Sequence, residues 1–555
     1  MPSRPLTVLL SLSCVCSVAS LAGCEAGDLS SYLPPEGSYD RIEPLDLATV
    51  AATRPATRPN VLPNEGAQLV ELTLGEARAI ALEQNLDLKV ARVGPRIAAA
   101  NLAAEQAAFE AVFTTGANFA KTDSPTVNQL VVDPTDPEGE PSVIQVLGGQ
   151  SEAFSLNPAI VKPLRRGGSV RIEAPFNRIE TDQGRVLNPQ YEQDLRASIN
   201  LPLGRGYGSD VNEQQIRVAA ASLGQALVRQ KLTVIDVLAA VDRGYWRLYA
   251  ARQAVDVRQQ QVDLALRQLE RAQRLARGGE VAEVEVVRAE SGLADANELL
   301  VQARANVGTQ ERLLKQLLNA DPDQPLSVGN AGVVLTQTDP LPVRYELNPD
   351  RLLAAAYGLR GELLEARLLI AQERANETAA RLEYVRPLVD VRYEYGVNGL
   401  GGSYGDALDV LGDVDFEDHT VGLQVEVPLG NRARRERLRA AYFRRLERLA
   451  DAEARRLLVR REVYDAVADI ETGWQRILAA QTRVTAAQRL LEAEQRQFDL
   501  GTRTTTEVLE AQTNLAQAQL ALIQALTDYE TSRTDLAVAT GTVLGKSGVV
   551  LETRE

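Results

Sequence analysis

Leu227, Val234, Val241, Leu248, Val255, Val262, Leu269 and Ala276 set one apolar residue at every seventh position. At an offset of 222 (Val463 against Val241) the same ladder returns as Val463, Ile470, Ile477, Val484, Leu491 and Phe498. A second ladder, Val286, Leu293, Leu300, Val307 and Leu314, returns at that offset as Val508, Leu515, Leu522, Tyr529 and Leu536. A heptad period held this long specifies helices that coil around neighbours. Its recurrence says that one unit is written twice. The first ladder predicts helices over about residues 210–277 and 434–500, each roughly 100 Å long at 1.5 Å per residue. Tight turns follow at Arg277-Gly278-Gly279-Glu280 and Leu500-Gly501-Thr502-Arg503, and the second ladder returns antiparallel. Such a hairpin cannot bury its stripe alone, so it needs the other repeat or further copies around it.

Working outward from the ladders, each half opens with a helix, Leu74–Val112 in the first and Pro349–Val385 in the second. The apolar period then changes to two. Val389, Val391, Tyr393 and Tyr395 alternate with Asp390, Arg392 and Glu394, and residues 113–119 do so more weakly. Return strands follow at 195–201 and 421–427, closing on Leu201-Pro202-Leu203-Gly204 and Val427-Pro428-Leu429-Gly430. Pro202 and Pro428 end the ladder of hydrogen bonds and turn the chain from strand to helix. One apolar and one polar face over such segments fits strands with lipid on one side and water on the other; strands covered by helices would share the pattern. Residues 122–161 and 398–418 are acidic, without Lys or Arg, and read as exposed loops. Val170, Ile172, Ala174 and Phe176 indicate further strand, either an extra hairpin or an extension.

Composition agrees with long helices. Only 5% of the 555 residues are aromatic, too few for a thick globular core. A net charge of −15 excludes a general nucleic-acid binder. The single histidine, His419, sits among acids, and no nucleophile motif, phosphate-binding loop or ligand-spaced Cys/His cluster is present. No cofactor and no metal site is expected. At the N-terminus, Arg4 and the apolar run 6–18 read as a secretory signal over residues 1–23. After residue 24 no segment reaches about 18 uninterrupted apolar residues, so no transmembrane helix is expected, and a membrane span would have to be a closed barrel. The proline-bearing residues 24–68 read as an extended tether.

These residues together resemble the TolC-like family of outer-membrane efflux channels, over about residues 72–545. The resemblance rests on Leu72-Thr73-Leu74-Gly75-Glu76-Ala77, on the two strand exits and on the hairpin tips. The most specific string is Gly501-Thr502-Arg503-Thr504-Thr505-Thr506-Glu507-Val508-Leu509-Glu510-Ala511, with its partner Gly279-Glu280-Val281-Ala282-Glu283-Val284-Glu285-Val286-Val287-Arg288-Ala289. The string Leu21-Ala22-Gly23-Cys24 resembles a bacterial lipoprotein signal, which makes Cys24 the lipidated first residue and points to the family's lipid-anchored branch. The resemblance implies a mainly α fold with β, in which three copies each give four strands to a twelve-stranded outer-membrane barrel. Their helices would build a long periplasmic tunnel. It implies a periplasmic adaptor docking at the tips (Gly279, Val281, Gly501, Thr502) and an inner-membrane transporter that supplies energy. It carries the pore constriction to Glu507 and Glu510, and a latch to Arg503 with Glu285. Two departures stand out: glutamates replace the family's aspartates, and Phe498 replaces a tyrosine of the polar links.

The expected organisation is a signal (1–23), a lipidated tether (24–68), a first repeat (69–325), a linker (326–348), a second repeat (349–545) and a tail (546–555). The function expected is a passive exit duct of a tripartite efflux or type I secretion system. Two other readings compete. A periplasmic adaptor would have one hairpin between compact β domains, whereas this chain has two equivalent hairpins. A coiled-coil lipoprotein without a pore would lack the alternating strands.

Overall fold

The computed structural model describes residues 69–128, 145–182, 185–319, 326–328 and 333–548. The signal, Cys24 and the tether lie outside the described residues. In chain order the elements are β1 (Leu69–Leu72), α1 (Leu74–Gln84), α2 (Leu86–Ala91), α3 (Val93–Ala107), β2 (Val112–Thr114), β3 (Ala117–Asn128), β4 (Gln145–Leu156) and β5 (Ala159–Pro163). Next come β6 (Ser169–Glu173), β7 (Phe176–Thr181), β8 (Gln190–Pro202), α4 (Ser209–Asn212), α5 (Gln214–Arg277), α6 (Glu283–Leu318) and β9 (Val333–Thr336). The second half holds α7 (Pro349–Leu359), α8 (Gly361–Val385), β10 (Leu388–Gly401), α9 (Tyr404–Asp413), β11 (Glu417–Glu426), α10 (Arg432–Asp499), α11 (Thr505–Thr540) and α12 (Val543–Ser547). The described residues form two compact units, 99–221 with 370–447, and 69–98 with 222–369 and 448–548.

The first unit is built on a nine-stranded antiparallel sheet. β2 pairs β5 and β3 pairs β4 in one unchanged register, so β2 and β3 are a single run broken at residues 115–116. In the same way β4 continues β5, and β6 continues β7. The nine strands are therefore six runs in the order 112–128, 145–163, 169–181, β8, β10, β11. This corrects two expectations and decides between the two readings left open for residues 170–176. Of the acidic stretch 122–161, the described residues 122–128 and 145–161 are largely strand, not loop. Residues 170–176 belong to an inserted hairpin. The described residues supply six strands to the sheet where the resemblance implied four. Residues 398–418, expected as loop, carry the helix α9. Gly399 and Gly401 admit it: a Cβ on Gly399 would lie 2.2 Å from the carbonyl oxygen of Ala407.

Through its middle the sheet has one apolar and one polar face, and further along the first three runs the apolar face gives way to Lys121, Glu152, Arg178 and Glu180. Phe113, Ile160, Ile172, Ala197 and Tyr395 lie side by side along one row that ends at His419 on β11. One residue along, Arg171, Ser198, Glu394 and Thr420 form a row on the opposite face. Ion pairs two residues apart run along that polar face, Arg171–Glu173 at 2.6 Å, Arg196–Asp194 at 2.7 Å and Arg392–Glu394 at 2.5 Å. The apolar face is bare at the edge: Val421 is 74% exposed and Leu423 68%.

The second unit shows the duplication in its hydrogen bonds. Thr73 begins α1 with a capping box, its hydroxyl accepting from the Glu76 N–H while Glu76 accepts the Thr73 N–H at 2.9 Å. The opening helix, expected unbroken from Leu74 to Val112, is interrupted at Asn85, which ends α1 and caps α2. Its counterpart is interrupted at Arg360. Asn85 donates to the Leu317 carbonyl at 2.8 Å and Arg360 to the Ala539 carbonyl at 3.2 Å, acceptors separated by the same repeat offset. Both breaks thus fix an opening helix to the end of a returning one. Residues 326–348, expected as plain linker, contribute β9, which pairs in parallel with β1. The ladder residues Val234, Val241, Leu248, Val255 and Val262 are buried, as are Val463, Ile470, Ile477, Leu491 and Phe498. The last helix runs to Ser547, beyond the expected end of the second repeat at 545.

Candidate functional site

The residues that carried the functional expectation lie at the two hairpin tips, within the second unit. Each tip ends its long helix in the same way. Gly279 and Gly501 take left-handed backbone, with φ of 76° and 71°. The Gly279 N–H donates to Ala276 and the Glu280 N–H to Leu275; Gly501 and Thr502 repeat this with Phe498 and Gln497. This is a paired C-terminal cap in which glycine avoids a Cβ penalty. Gly279, Gly501 and Thr502 are exposed and Val281 is half-buried.

The returning helices start differently. α11 has a capping box: the Thr504 N–H donates to Glu507 at 2.7 Å. α6 has no side-chain cap and instead places Glu283 and Glu285 in its first turn, where carboxylates suit the helix dipole. Glu285 reaches across to the other hairpin and accepts the Thr505 N–H at 2.8 Å, while Arg288 donates to it at 2.5 Å. Burial pushes the Glu285 carboxyl up, but the Thr505 hydrogen bonds, with Arg288, outweigh it and leave the group below the ordinary glutamate range.

Arg503 has other partners. Within one chain it does not meet Glu285; it pairs with Glu507 at 2.6 Å and Glu494 at 3.1 Å, and donates to Gln497 at 2.9 Å. Arg503 therefore ties α10 to α11 inside the second hairpin. The bond between hairpins is made by Glu285 and the Thr505 backbone. The Thr504 N–H, then Arg503, hold the Glu507 carboxyl below its ordinary range. Glu507 is thus tied to its own helix start, and Glu510 lies exposed one turn on, beside a groove of about 700 Å³. Arg288, Asp295, Thr506, Leu509 and Asn514 also line this groove.

Two contributors, Arg271 and Gly292, escaped the sequence reading. Arg271 on α5 pairs with Asp499 on α10, a second link between hairpins; charges flanking a heptad seam are its only sequence signal. Gly292 lets α6 approach α11, since a Cβ there would lie 2.7 Å from the Leu509 side chain. Phe498 is 1% exposed and packs with Leu491, Val508, Ala511 and Leu264, so it fills the tip core by packing instead of hydrogen bonding.

At the strand exits, Pro202 closes β8 and is buried, and Gly204 follows where a Cβ would strike the Pro387 carbonyl at 2.2 Å. Pro428 separates β11 from α10, and Asn431 turns the chain with φ of 35°, its amide donating to the Tyr384 carbonyl at 2.9 Å. Among the described residues no group of three or more His, Cys, Asp or Glu could hold a metal ion. No described helix is long and apolar enough to cross a membrane.

A duplicated unit of strands and long helical hairpins, with a two-faced sheet, is the fold of outer-membrane channel proteins. Residues 359–542, within the second half of the chain, match the family model described as outer membrane efflux protein. The structure is similar to the CmeC outer-membrane channel of Campylobacter jejuni, at 17% identity, covering 85% of this chain and 86% of that one with a TM-score of 0.60. It is similar to the outer-membrane channel OprN at 16% identity, covering 92% and 98% with a TM-score of 0.60. It is also similar to the outer membrane protein VceC of Vibrio cholerae at 15% identity, covering 84% and 96% with a TM-score of 0.59. No curated protein sequence matches the chain.

Proposed function

We propose that this protein is the passive exit duct of a tripartite efflux or secretion assembly in the outer membrane of a bacterium. Three copies would close the sheet into a barrel, and their helical hairpins would line a duct. The observation that carries this reading is the sheet face: an apolar surface crossing six runs, backed by ion pairs on the other side. Hydrocarbon accepts the first face and a water-filled lumen the second. Cys24 would hold the lipid anchor. The exposed tips around Gly279, Val281, Gly501 and Thr502 would receive a periplasmic adaptor, and an inner-membrane transporter would supply the energy. Glu510, with Glu507 beside it, would set a negative constriction when three copies meet.

The tip contacts support a closed resting state, in which the Glu285–Thr505 bond holds the two hairpins of a copy together. Opening would separate α6 from α11. Purified protein reconstituted in planar bilayers tests the reading: discrete conductance steps with cation selectivity are expected. A preparation that never conducts, with or without Glu285, would overturn it.

A further inference from the structure

The inserted hairpin, residues 145–181, has no place in a four-strand contribution to a barrel. We infer that it is part of the lipid-facing wall, so that each copy gives six strands and three copies close a barrel of eighteen. This rests on the outer-membrane channel reading above. It concerns only what the wall is made of.

The first argument is continuity. Ile160 and Ile172 lie in the same hydrogen-bonded row as Phe113 on one side and Ala197 and Tyr395 on the other. Val170 stands beside Ile199 and Tyr393. One residue along, the polarity inverts on β6 and β8, with Arg171 and Glu173 facing the same way as Ser198 and Arg196, and Val161 and Val112 complete that row. A hairpin standing clear of the bilayer would have no cause to alternate in phase with strands that span it.

The second argument is tilt. The apolar band does not follow one row. On β11 it covers Val421, Leu423 and Val425. On β10 it covers Val389 to Tyr395, beyond which Val397 is buried, and on β8 Leu195 to Leu201. On the inserted hairpin it covers Val170, Ile172 and Phe176, then Phe154, Leu156 and Ile160; on the first run it ends with Phe113, Ala117 and Phe119. The row that starts at Phe113, inside the band, has therefore left it by the time it reaches His419 on β11. The row through Phe119 and Phe154 meets Arg178 on β7 and Tyr191 on β8. Such a diagonal drift is what strands inclined to a membrane normal require, and the inserted hairpin takes its step in the sequence.

The third argument is closure. Among the described strands, β11 pairs only with β10 and the run 112–128 only with the run 145–163. These are two open edges, which soluble proteins avoid leaving bare. Six antiparallel runs are an even number, so the end run of one copy meets the first run of the next in antiparallel sense. Since barrel diameter grows about linearly with strand number, eighteen strands make a lumen roughly half as wide again as twelve.

Tryptophan quenching by brominated phospholipids tests this. In protein with Trp246 and Trp474 replaced by Phe, single tryptophans are placed at Ile160→Trp and Ile172→Trp, at Val421→Trp as the lipid-facing reference, and at Val161→Trp on the opposite face. Loss of fluorescence at 160 and 172 equal to that at 421, with 161 unaffected, is expected. Quenching at 421 but not at 160 and 172 removes the hairpin from the wall and leaves the channel reading intact. Quenching at 161 as strongly as at 160 also overturns the inference, because no face is then distinguished. No quenching at 421 overturns the membrane reading and this inference with it.

Discussion

Glu285→Ala should open the tip more than Arg503→Ala does. Glu285 is 13% exposed in its side chain, accepts the Thr505 N–H from the other hairpin at 2.8 Å and is held by Arg288. A hydrogen bond to a charged group contributes about 1.5–3 kcal/mol, and the small exposure leaves little of that screened. Losing it shifts the tip equilibrium roughly ten- to hundredfold per copy, at about 1.4 kcal/mol per factor of ten. Arg503 is 40% exposed and its partners lie within its own hairpin, so solvent screens most of what its removal takes away and no link between hairpins is loosened. Single-channel recording is the assay: Glu285→Ala should raise conductance and open time strongly, Glu285→Gln less, because its amide oxygen still accepts from Thr505. Arg503→Ala should be nearest to the unaltered protein. The opposite order would refute the assignment of the inter-hairpin bond to Glu285.

Further outcomes follow from other contacts. Gly292→Val should also favour the open tip, since the added side chain meets Leu509 where a Cβ alone already lies at 2.7 Å; disulfide trapping between α6 and α11 would report the loss of approach. Acid should weaken the tip. Glu285 and Glu507 both lie below their ordinary range, so their stabilisation is complete above the unfolded glutamate pKa of about 4.3 and is lost as pH falls below it; conductance should rise over that window and stay flat above it. Asp242, 2% exposed in its side chain and bound twice by Arg78 at 2.7 Å, should cost about 3–5 kcal/mol when replaced by alanine, because Arg78 is left unpaired in the interior; a lowered melting temperature of the helical unit checks this. Gly501→Ala should cost about 1 kcal/mol through its left-handed backbone and weaken adaptor binding only as far as the turn is disturbed.

The heptad ladders were legible because coiling imposes a period that nothing else in the chain mimics, and the same is true of β8, β10 and β11, where alternation runs unbroken. The inserted hairpin was faint for a physical reason. β4 reads Gln145-Val146-Leu147-Gly148-Gly149-Gln150-Ser151-Glu152-Ala153-Phe154-Ser155-Leu156, small and polar over most of its length, with its apolar residues concentrated where the band passes. α9 hid among acids, although Ser403, which accepts from the Asp406 N–H, is a helix-start signal. Asn85 carried a similar signal in mid-helix, and only its buried bond to Leu317 explains why it wins over continuation. At the tip the residue types were readable but the pairing was not. Arg503 has several carboxylates within reach, and geometry alone selects Glu507 and Glu494 over Glu285.

The central claim is that the sheet of the first unit meets hydrocarbon and closes between copies. Cys24→Ser removes the acyl anchor and leaves only that sheet to hold the protein in a membrane. Sedimentation of the purified Cys24→Ser protein should show trimers that need detergent to stay in solution. A water-soluble monomer in its absence would contradict the account.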